Sequence, residues 1–402
     1  MNKPGQIILY ITGFRQHAGK TVTSLGLLSL LLKYLPPEKL GYIKPVGQEL
    51  VELPDGGRVD KDAVIIQRFG GIGDVDMRYV SPVRLGSGFT KEFLKAKNPD
   101  LEAQSLKETV LQAFASMKDK KIIIAEGTGH PGVGGIVGLS NAEVAKLIDG
   151  DIIFLSGGGI GKALDMLEVD LSYFMYKKAR VRGIIFNKLI PDKLSVIQEY
   201  LNEDILNRRF SSFETPLKVF GYLPEVNDLS KPSMAVIAQD IPSAQALGNV
   251  ETTDWHIPTS SIKVISLNSR FFKPEWHLLP GDIVLIGSSF DRRIPHIIAY
   301  HKHLKNYGTV TYEGERRGLG GLILTCGDKA SLDSRVPSLL KRTELPALFV
   351  QQSTAVTEKL ILNLYQNTKL QEYDDHKIKE IKDMFEKYFD TEQFFKSFNI
   401  QV

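Results

Sequence analysis

The sequence predicts an α/β protein: a doubly wound, mostly parallel sheet over residues 1–225, then a second, smaller α/β domain. Three observations carry this. Short apolar runs alternate with longer helical patterns, as βαβ units require. The runs are continuous rather than alternating, which suits strands covered by helices on both faces. The 402 residues also fit two or three domains of roughly 150 residues each.

In order, the first strands are expected at Ile7–Thr12, Leu40–Val46, Lys121–Glu126, Asp151–Ser156, Val181–Asn187 and Leu217–Leu223. Residues 226–260 then gather Ser, Pro, Asn and Thr around one helical fragment, Met234–Ala238, and read as a linker. The domain at 261–402 should carry strands at Ile262–Leu267, Asp282–Ile286, Gly321–Thr325 and Ala347–Val350. Its helices fall around Pro295–Leu304, Arg335–Arg342, Ala355–Tyr365 and Asp374–Phe389. The last opens on Asp374-Asp375, and acidic residues suit the positive end of a helix dipole.

Composition narrows the class. With 43% hydrophobic and 24% charged residues, the chain is neither disordered nor collagenous. Lys+Arg 50 against Asp+Glu 47 leaves +3, too balanced to indicate nucleic acid or a membrane surface as partner. The single cysteine, Cys326, forms no internal disulfide and reads as a buried structural thiol in a reducing compartment. The longest apolar run, Val22–Leu32, is interrupted by Thr23, Ser24, Gly26 and Ser29 and falls short of the ~20 residues of a membrane span. Gln6–Thr12 leads into a glycine turn with no small-residue cleavage site, so it reads as a strand rather than a leader. A cytoplasmic protein is expected.

The sharpest motif is Gly13-Phe-Arg-Gln-His-Ala-Gly19-Lys20-Thr21, between the first strand and a helix. Glycines let backbone N–H groups turn toward phosphate oxygens, and the helix N-terminus adds its dipole. In such a P-loop, Lys20 reaches the β- and γ-phosphates and the Thr21 hydroxyl ligates Mg²⁺. Five residues separate the glycines here, Phe14 to Ala18, where the general pattern has four. Carboxylates must complete the metal shell. Glu126 ends an apolar strand, while Asp60 and Asp62 enter a helix and would otherwise be caps.

Thr12-Gly13…Gly19-Lys20-Thr21, Gly41-Tyr-Ile-Lys44-Pro-Val46, Asp62 and Ile124-Ala-Glu126-Gly127 resemble dethiobiotin synthetase in order and spacing. The superfamily includes cobyric and cobyrinic acid synthases and the N-terminal regions of long phosphotransacetylases. The resemblance covers about residues 1–225 and implies a P-loop NTPase fold with ATP and Mg²⁺. It places Gly13, His17, Ala18, Gly19, Lys20, Thr21 and Val22 around the phosphates, and Thr21, Asp62 and Glu126 on the metal. It implies that Lys20, Lys44 and Glu126 are catalytic, with Lys44 at the carbamate or acyl-phosphate-like centre. Asn187 would read adenine, flanked by Leu223 and Pro224 of Gly221-Tyr-Leu-Pro224. Independently, a lysine at a strand end facing a P-loop suits developing phosphoryl charge.

The sequence departs from that enzyme inside the loop (Phe14-Arg-Gln-His17), after Lys44-Pro-Val46 (Gly47-Gln-Glu49), and in the glycine-rich Gly127–Gly138. Diaminopelargonate is therefore a poor substrate for it. His130, in the last of these loops, is either an acid/base or phosphate contact or an exposed loop side chain. Ser156-Gly-Gly-Gly-Ile-Gly-Lys162 reads as a mobile substrate-side loop, with Lys162 a weak site candidate.

Residues 262–390 resemble the DRTGG-type domain of long phosphotransacetylases. The match rests on Leu279-Pro-Gly-Asp282, Asp291-Arg292, Gly320–Gly327, Leu345–Val350 and Lys377-Ile378, although Asp291-Arg-Arg-Ile-Pro295 keeps only the first two letters of the eponymous motif. It implies a small-molecule-sensing or interaction module and a homodimer. Asp291-Arg292 and Thr325-Cys-Gly-Asp328 form either a shallow pocket or two ordinary loops. The expected function is ATP- and Mg²⁺-dependent phosphorylation of a small-molecule carboxylate or carbamate, for ring closure or amide formation as in a ligase. The alternative is a regulatory ATP/ADP sensor with little turnover.

Overall fold

The computed structural model describes residues 5–73, 76–213, 215–266, 271–309, 316–327, 332, 335–367 and 370–400. The chain divides into two compact units, Met1–Val226 with Leu370–Val402, and Asn227–Lys369.

The strands of the first unit are, in chain order, β1 (Ile7–Gly13), β2 (Leu40–Ile43), β3 (Val46–Gly47), β4 (Leu50–Glu52), β5 (Arg58–Asp60), β6 (Val83–Arg84), β7 (Ile122–Glu126), β8 (Asp151–Ser156), β9 (Val181–Leu189) and β10 (Lys218–Pro224). Six of them form one sheet in the order β10-β9-β8-β1-β7-β2, every neighbour parallel. The continuous apolar runs have the expected cause, because β7 is buried at every position and β8 at all but its first. Between β2 and β7 the chain leaves the sheet. β3 pairs with β6, and β4 and β5 form an antiparallel hairpin that enters helix α2 (Lys61–Phe69).

Helix α1 (Lys20–Leu31) is buried nearly all round, its leucines and small residues covered on more than one side. A Cβ at Gly26 would run into the ring of Phe385, so glycine is what lets the helix Asp375–Tyr388 approach. Phe389, Phe394 and Phe398 then surround Phe220 of β10, with ring centroids 6.4, 5.5 and 5.7 Å away.

The second unit holds a five-stranded sheet ordered β11-β15-β14-β13-β12. Its strands are β11 (Gln245–Ala246), β12 (Ile262–Val264), β13 (Ile283–Gly287), β14 (Gly321–Thr325) and β15 (Ala347–Val350). β12 to β15 are parallel, and β11 joins the edge antiparallel.

Two boundaries differ from the sequence expectation. Residues 226–260 are not a linker: Met234, Ile237, Ile241 and Trp255 are buried against Ile283, Leu285, Ile323 and Leu348, and β11 extends the sheet. The helices Asp375–Tyr388 and Thr391–Ser397 belong to the first unit, because their phenylalanines complete the core beside β10. Cys326 is exposed rather than buried; it follows β14 with a left-handed backbone, φ 60°. Asp328 lies outside the described residues, as does Leu267, expected to end a strand. Asp282 accepts from the Leu279 N–H and the Ser261 hydroxyl, the work of a turn-fixing carboxylate. No helix is long and apolar enough to cross a membrane among the described residues.

Two consequences are measurable. Phe394 is fully buried among aromatic rings, so Phe394→Ala should cost the first unit about 3–5 kcal/mol in urea unfolding. His301 is buried, its Nδ1 accepting from the Leu319 N–H at 3.1 Å. Burial, then the Lys305 charge, with Lys302 adding and Glu344 opposing, lowers its pKa to about 4. The unfolded chain therefore takes up this proton first. Stability of the second unit should fall by roughly 3 kcal/mol as pH drops from about 6.5 to 4, then level off. A His301→Gln variant should lose that slope in acid titrations followed by circular dichroism; an unchanged slope would refute the assignment.

Candidate nucleotide site

β1 ends at Gly13 and α1 begins at Lys20, so the glycine loop lies at the carboxyl edge of the sheet. Strand order reverses there, with β7 on one side of β1 and β8 on the other. Open α/β sheets bind ligands at such a switch point. Gly19, the N-cap of α1, has φ 95°, and no side chain caps the helix. Its first-turn N–H groups thus suit an anion. A Cβ at Gly19 would also collide with the Asn187 amide, whose Nδ2 donates to the Ala18 carbonyl at 2.9 Å. Asn187 Oδ1 accepts from the Lys188 N–H. In this structure Asn187 buttresses the loop, whereas the resemblance gives it adenine. Leu223 and Pro224 end β10, whose Pro224 stands beside Leu189 of β9.

Within the loop, His17 takes a left-handed conformation, Ala18 is buried, and Val22 sits half-buried in the first turn of α1. The Lys20 ammonium is buried and donates to the carbonyls of Arg15 and Gly129 at 3.2 and 3.4 Å. Burial and the neighbouring Lys44 charge lower its pKa to about 8. Thr12 and Ser156 end adjacent strands at this edge, their hydroxyls buried without a partner among the described residues. Orphans of this kind are satisfied by ligand or water oxygens.

One turn of α1, the end of β2, the start of α2 and the end of β7 converge on a buried ionic cluster. Lys44 Nζ lies 2.6 Å from Asp62 Oδ2 and 3.0 Å from Glu126 Oε1, and donates to the Gly127 carbonyl at 3.2 Å. The Thr21 hydroxyl lies 2.9 Å from Asp62 Oδ1 and 3.0 Å from Glu126 Oε1. Ser24 and Tyr42 donate to Glu126 Oε2 at 2.9 and 3.0 Å. Burial pushes the Glu126 carboxyl up against the pull of Lys44. At Asp62 burial also raises, but the Lys44 charge with hydrogen bonds from Lys44 and Thr21 holds it well below the carboxylate range. Burial opposes the Lys44 charge, yet the two carboxylates hold its pKa well above normal.

The cluster gathers Lys20, Thr21, Lys44, Asp62 and Glu126. Asp60 is a structural cap, accepting from the backbone N–H groups of Gln48, Glu49 and Asp62. His130 and Lys162 are exposed and take no part in the cluster. Sequence reading overlooked Ser24, Tyr42 and Asn141. Tyr42 shares a strand face with Lys44 at period two, and Ser24 lies one turn beyond Lys20 and Thr21, so spacing signals both. Asn141 fixes the glycine loop after β7: it donates to the carbonyls of Thr128 and His130 and accepts from the Thr128 N–H and Tyr10 hydroxyl. No spacing in the sequence signals it.

The donor set suits Mg²⁺, which takes one or two carboxylates and keeps water and phosphate oxygens for its other positions. Thr21, Asp62 and Glu126 supply hard oxygens within one cluster. Among the described residues, no group of three or more His, Cys, Asp and Glu side chains is placed to hold a metal alone.

A family model described as an AAA domain (AAA_26) matches residues 8–233, more than half the chain and every residue of this cluster. The chain belongs to that AAA domain family. The AAA domain here is a P-loop nucleotide-binding unit with a mostly parallel sheet. A phosphate acetyltransferase from Synechocystis sp. is 21% identical over 251 residues, covering 61% of this chain and 33% of that protein. The chain thus spans about a third of that curated relative's length. Among solved structures, the cell division protein FtsY of Thermotoga maritima matches with TM-score 0.27 and 11% identity over 55% of this chain and 62% of that one. The signal recognition particle receptor FtsY of Elizabethkingia anophelis, in complex with GDP, matches with TM-score 0.23 and 14% identity over 47% and 50%. Likenesses at that level say nothing of activity.

Removing the central cation exposes its role. Lys44→Ala leaves two carboxylates facing each other in a buried place and should destabilise the first unit by roughly 3–5 kcal/mol. The variant's carboxylates then have folded pKa values above their unfolded ones, so protonation relieves the loss. Its deficit in urea unfolding should be smaller at pH 5 than at pH 7.5, and a deficit independent of pH would sink this account.

Proposed function

We propose that the AAA domain binds ATP with Mg²⁺ and phosphorylates a small-molecule carboxylate or carbamate, for ring closure or amide formation. The observation that carries this is Lys44, a buried ammonium held by the same two carboxylates that reach the Thr21 hydroxyl.

The chain's own groups divide the work. The N–H groups of the glycine loop and the first turn of α1 cradle the phosphates, and Lys20 turns from backbone carbonyls to phosphate oxygens. Thr21, Asp62 and Glu126 would hold Mg²⁺, which would supply charge neutralisation for the phosphates. Lys44, held between those two carboxylates, is the chain's own cation for the γ-phosphoryl group. There its charge meets the negative charge that develops in transfer. The acceptor oxygen bonds to the γ-phosphorus as the bond to the ADP oxygen breaks. An amine then displaces phosphate from the acyl phosphate, losing its proton.

Thermal melts of the full chain with ATP, ADP, AMP and GTP, each with and without Mg²⁺, test the site. Ligand at about 100 times its Kd should add about 2.7 kcal/mol. A Mg²⁺-dependent shift for adenine nucleotides, lost in Lys20→Ala, is expected. Only protonated Lys20 pairs with phosphate, so affinity should weaken as pH rises through about 8. Affinity flat from neutral to strongly basic pH would remove Lys20 from this role. An adenine-specific shift without hydrolysis, across a panel of carboxylates and amines, would favour the ATP/ADP sensor instead.

A further inference from the structure

The β4–β5 hairpin and the segment following β6 border an open cleft of about 490 Å³, a volume in the range of small-molecule sites. Leu50 and Phe89 give it apolar walls, while Arg58, Arg84, Ser87 and Glu92 line it with polar groups. Among the described residues, no hydrogen bond or ion pair engages the Arg58 guanidinium, and Arg84 commits its Nε to the Ser81 carbonyl at 3.2 Å. Two guanidiniums against one carboxylate leave the lining cationic. Each presents N–H donors in the fork that matches a carboxylate or phosphate edge.

The cavity's walls belong to the segments that set the cluster. β5 runs into Asp60 and then Asp62, and β6 pairs with β3, which follows Lys44 by one proline. Glu49, just before β4, accepts from Gln16 of the phosphate loop at 2.6 Å.

We propose that this cavity seats a small molecule bearing a carboxylate or phosphate oxyanion on a short apolar body, with Arg58 and Arg84 gripping the anion and Phe89 and Leu50 covering the body. Its role as anchor for the phosphoryl acceptor rests on the ATP-dependent reading above.

Calorimetric titration of the full chain with hexanoate, phenyl phosphate and the neutral hexanamide tests it. One or both anions should bind; tighter hexanoate assigns carboxylic acids, tighter phenyl phosphate assigns phosphate esters. Hexanamide should bind at least about tenfold more weakly, and Arg58→Gln and Arg84→Gln should each weaken the anion about tenfold, a 1.4 kcal/mol step. Arg84→Lys should lose less than Arg84→Gln. Equal binding of anion and amide, no binding of either anion, or unchanged affinity in both Gln variants overturns the proposal. The nucleotide melt shift, kept by the Gln variants, shows that they fold. Anion binding in a chain with no nucleotide shift would refute the ATP reading and leave the cavity assigned.

Discussion

Glu126 is a carboxylate with no exposed surface, at the end of a strand whose other residues are all apolar. An isolated charge in such a place costs several kcal/mol, so its surroundings must supply compensation. Lys44 provides the counter-charge, while Ser24 and Tyr42 occupy one carboxylate oxygen and Thr21 the other. Those groups arrive on two elements, Thr21 and Ser24 on α1 and Tyr42 and Lys44 at the β2 edge. The requirement to satisfy one carboxylate therefore fixes α1, β2 and β7 relative to one another. Asp62 adds α2 to the same node through Lys44 and Thr21.

The node sets one protein cation between two carboxylates, in a place whose oxygen donors suit a metal. Lys44 and the Thr21 hydroxyl share the same two carboxylates, so the ammonium and the first turn of α1 meet at one node. Lys20 is held by protein oxygens of a weaker kind. Its ammonium rests on backbone carbonyls that cannot compete with phosphate oxygens, and burial keeps its charge weakly held.

Much of this was legible because it depends on local pattern. Continuous apolar runs gave the parallel strands of both sheets to within a few residues, since burial on both faces leaves no alternation to misread, whereas the short exposed β11 was missed. Glycine, lysine and threonine in sequence after a strand place the phosphate loop by backbone geometry alone. What stayed hidden depends on distant partners. Asn187 lies more than a hundred residues beyond the Ala18 carbonyl it binds, and its strand-end position fits either a cap or a ligand contact. Residues 226–260 are rich in loop-forming types, yet a few large side chains, Met234 and Trp255 among them, decide that they are core. Composition averages such anchors away.

The C-terminal helices show how that non-local part reaches the site. α1 carries Lys20, Thr21 and Ser24 within its first five residues, so any rotation of this helix moves all three donors together. Thr21 and Ser24 hold one side of it to Glu126, while most of the rest of its surface is apolar and needs a packing partner. Gly26, about a turn and a half beyond Lys20 and Thr21, admits the Phe385 ring where any side chain would exclude it. The helix Asp375–Tyr388 thereby keys α1 in one orientation, and Phe389 and Phe394 anchor that helix to Phe220 of β10. A segment some 350 residues distant in sequence thus sets the rotation of the phosphate-binding helix. That dependence explains why the last helices return to the first unit instead of ending the second.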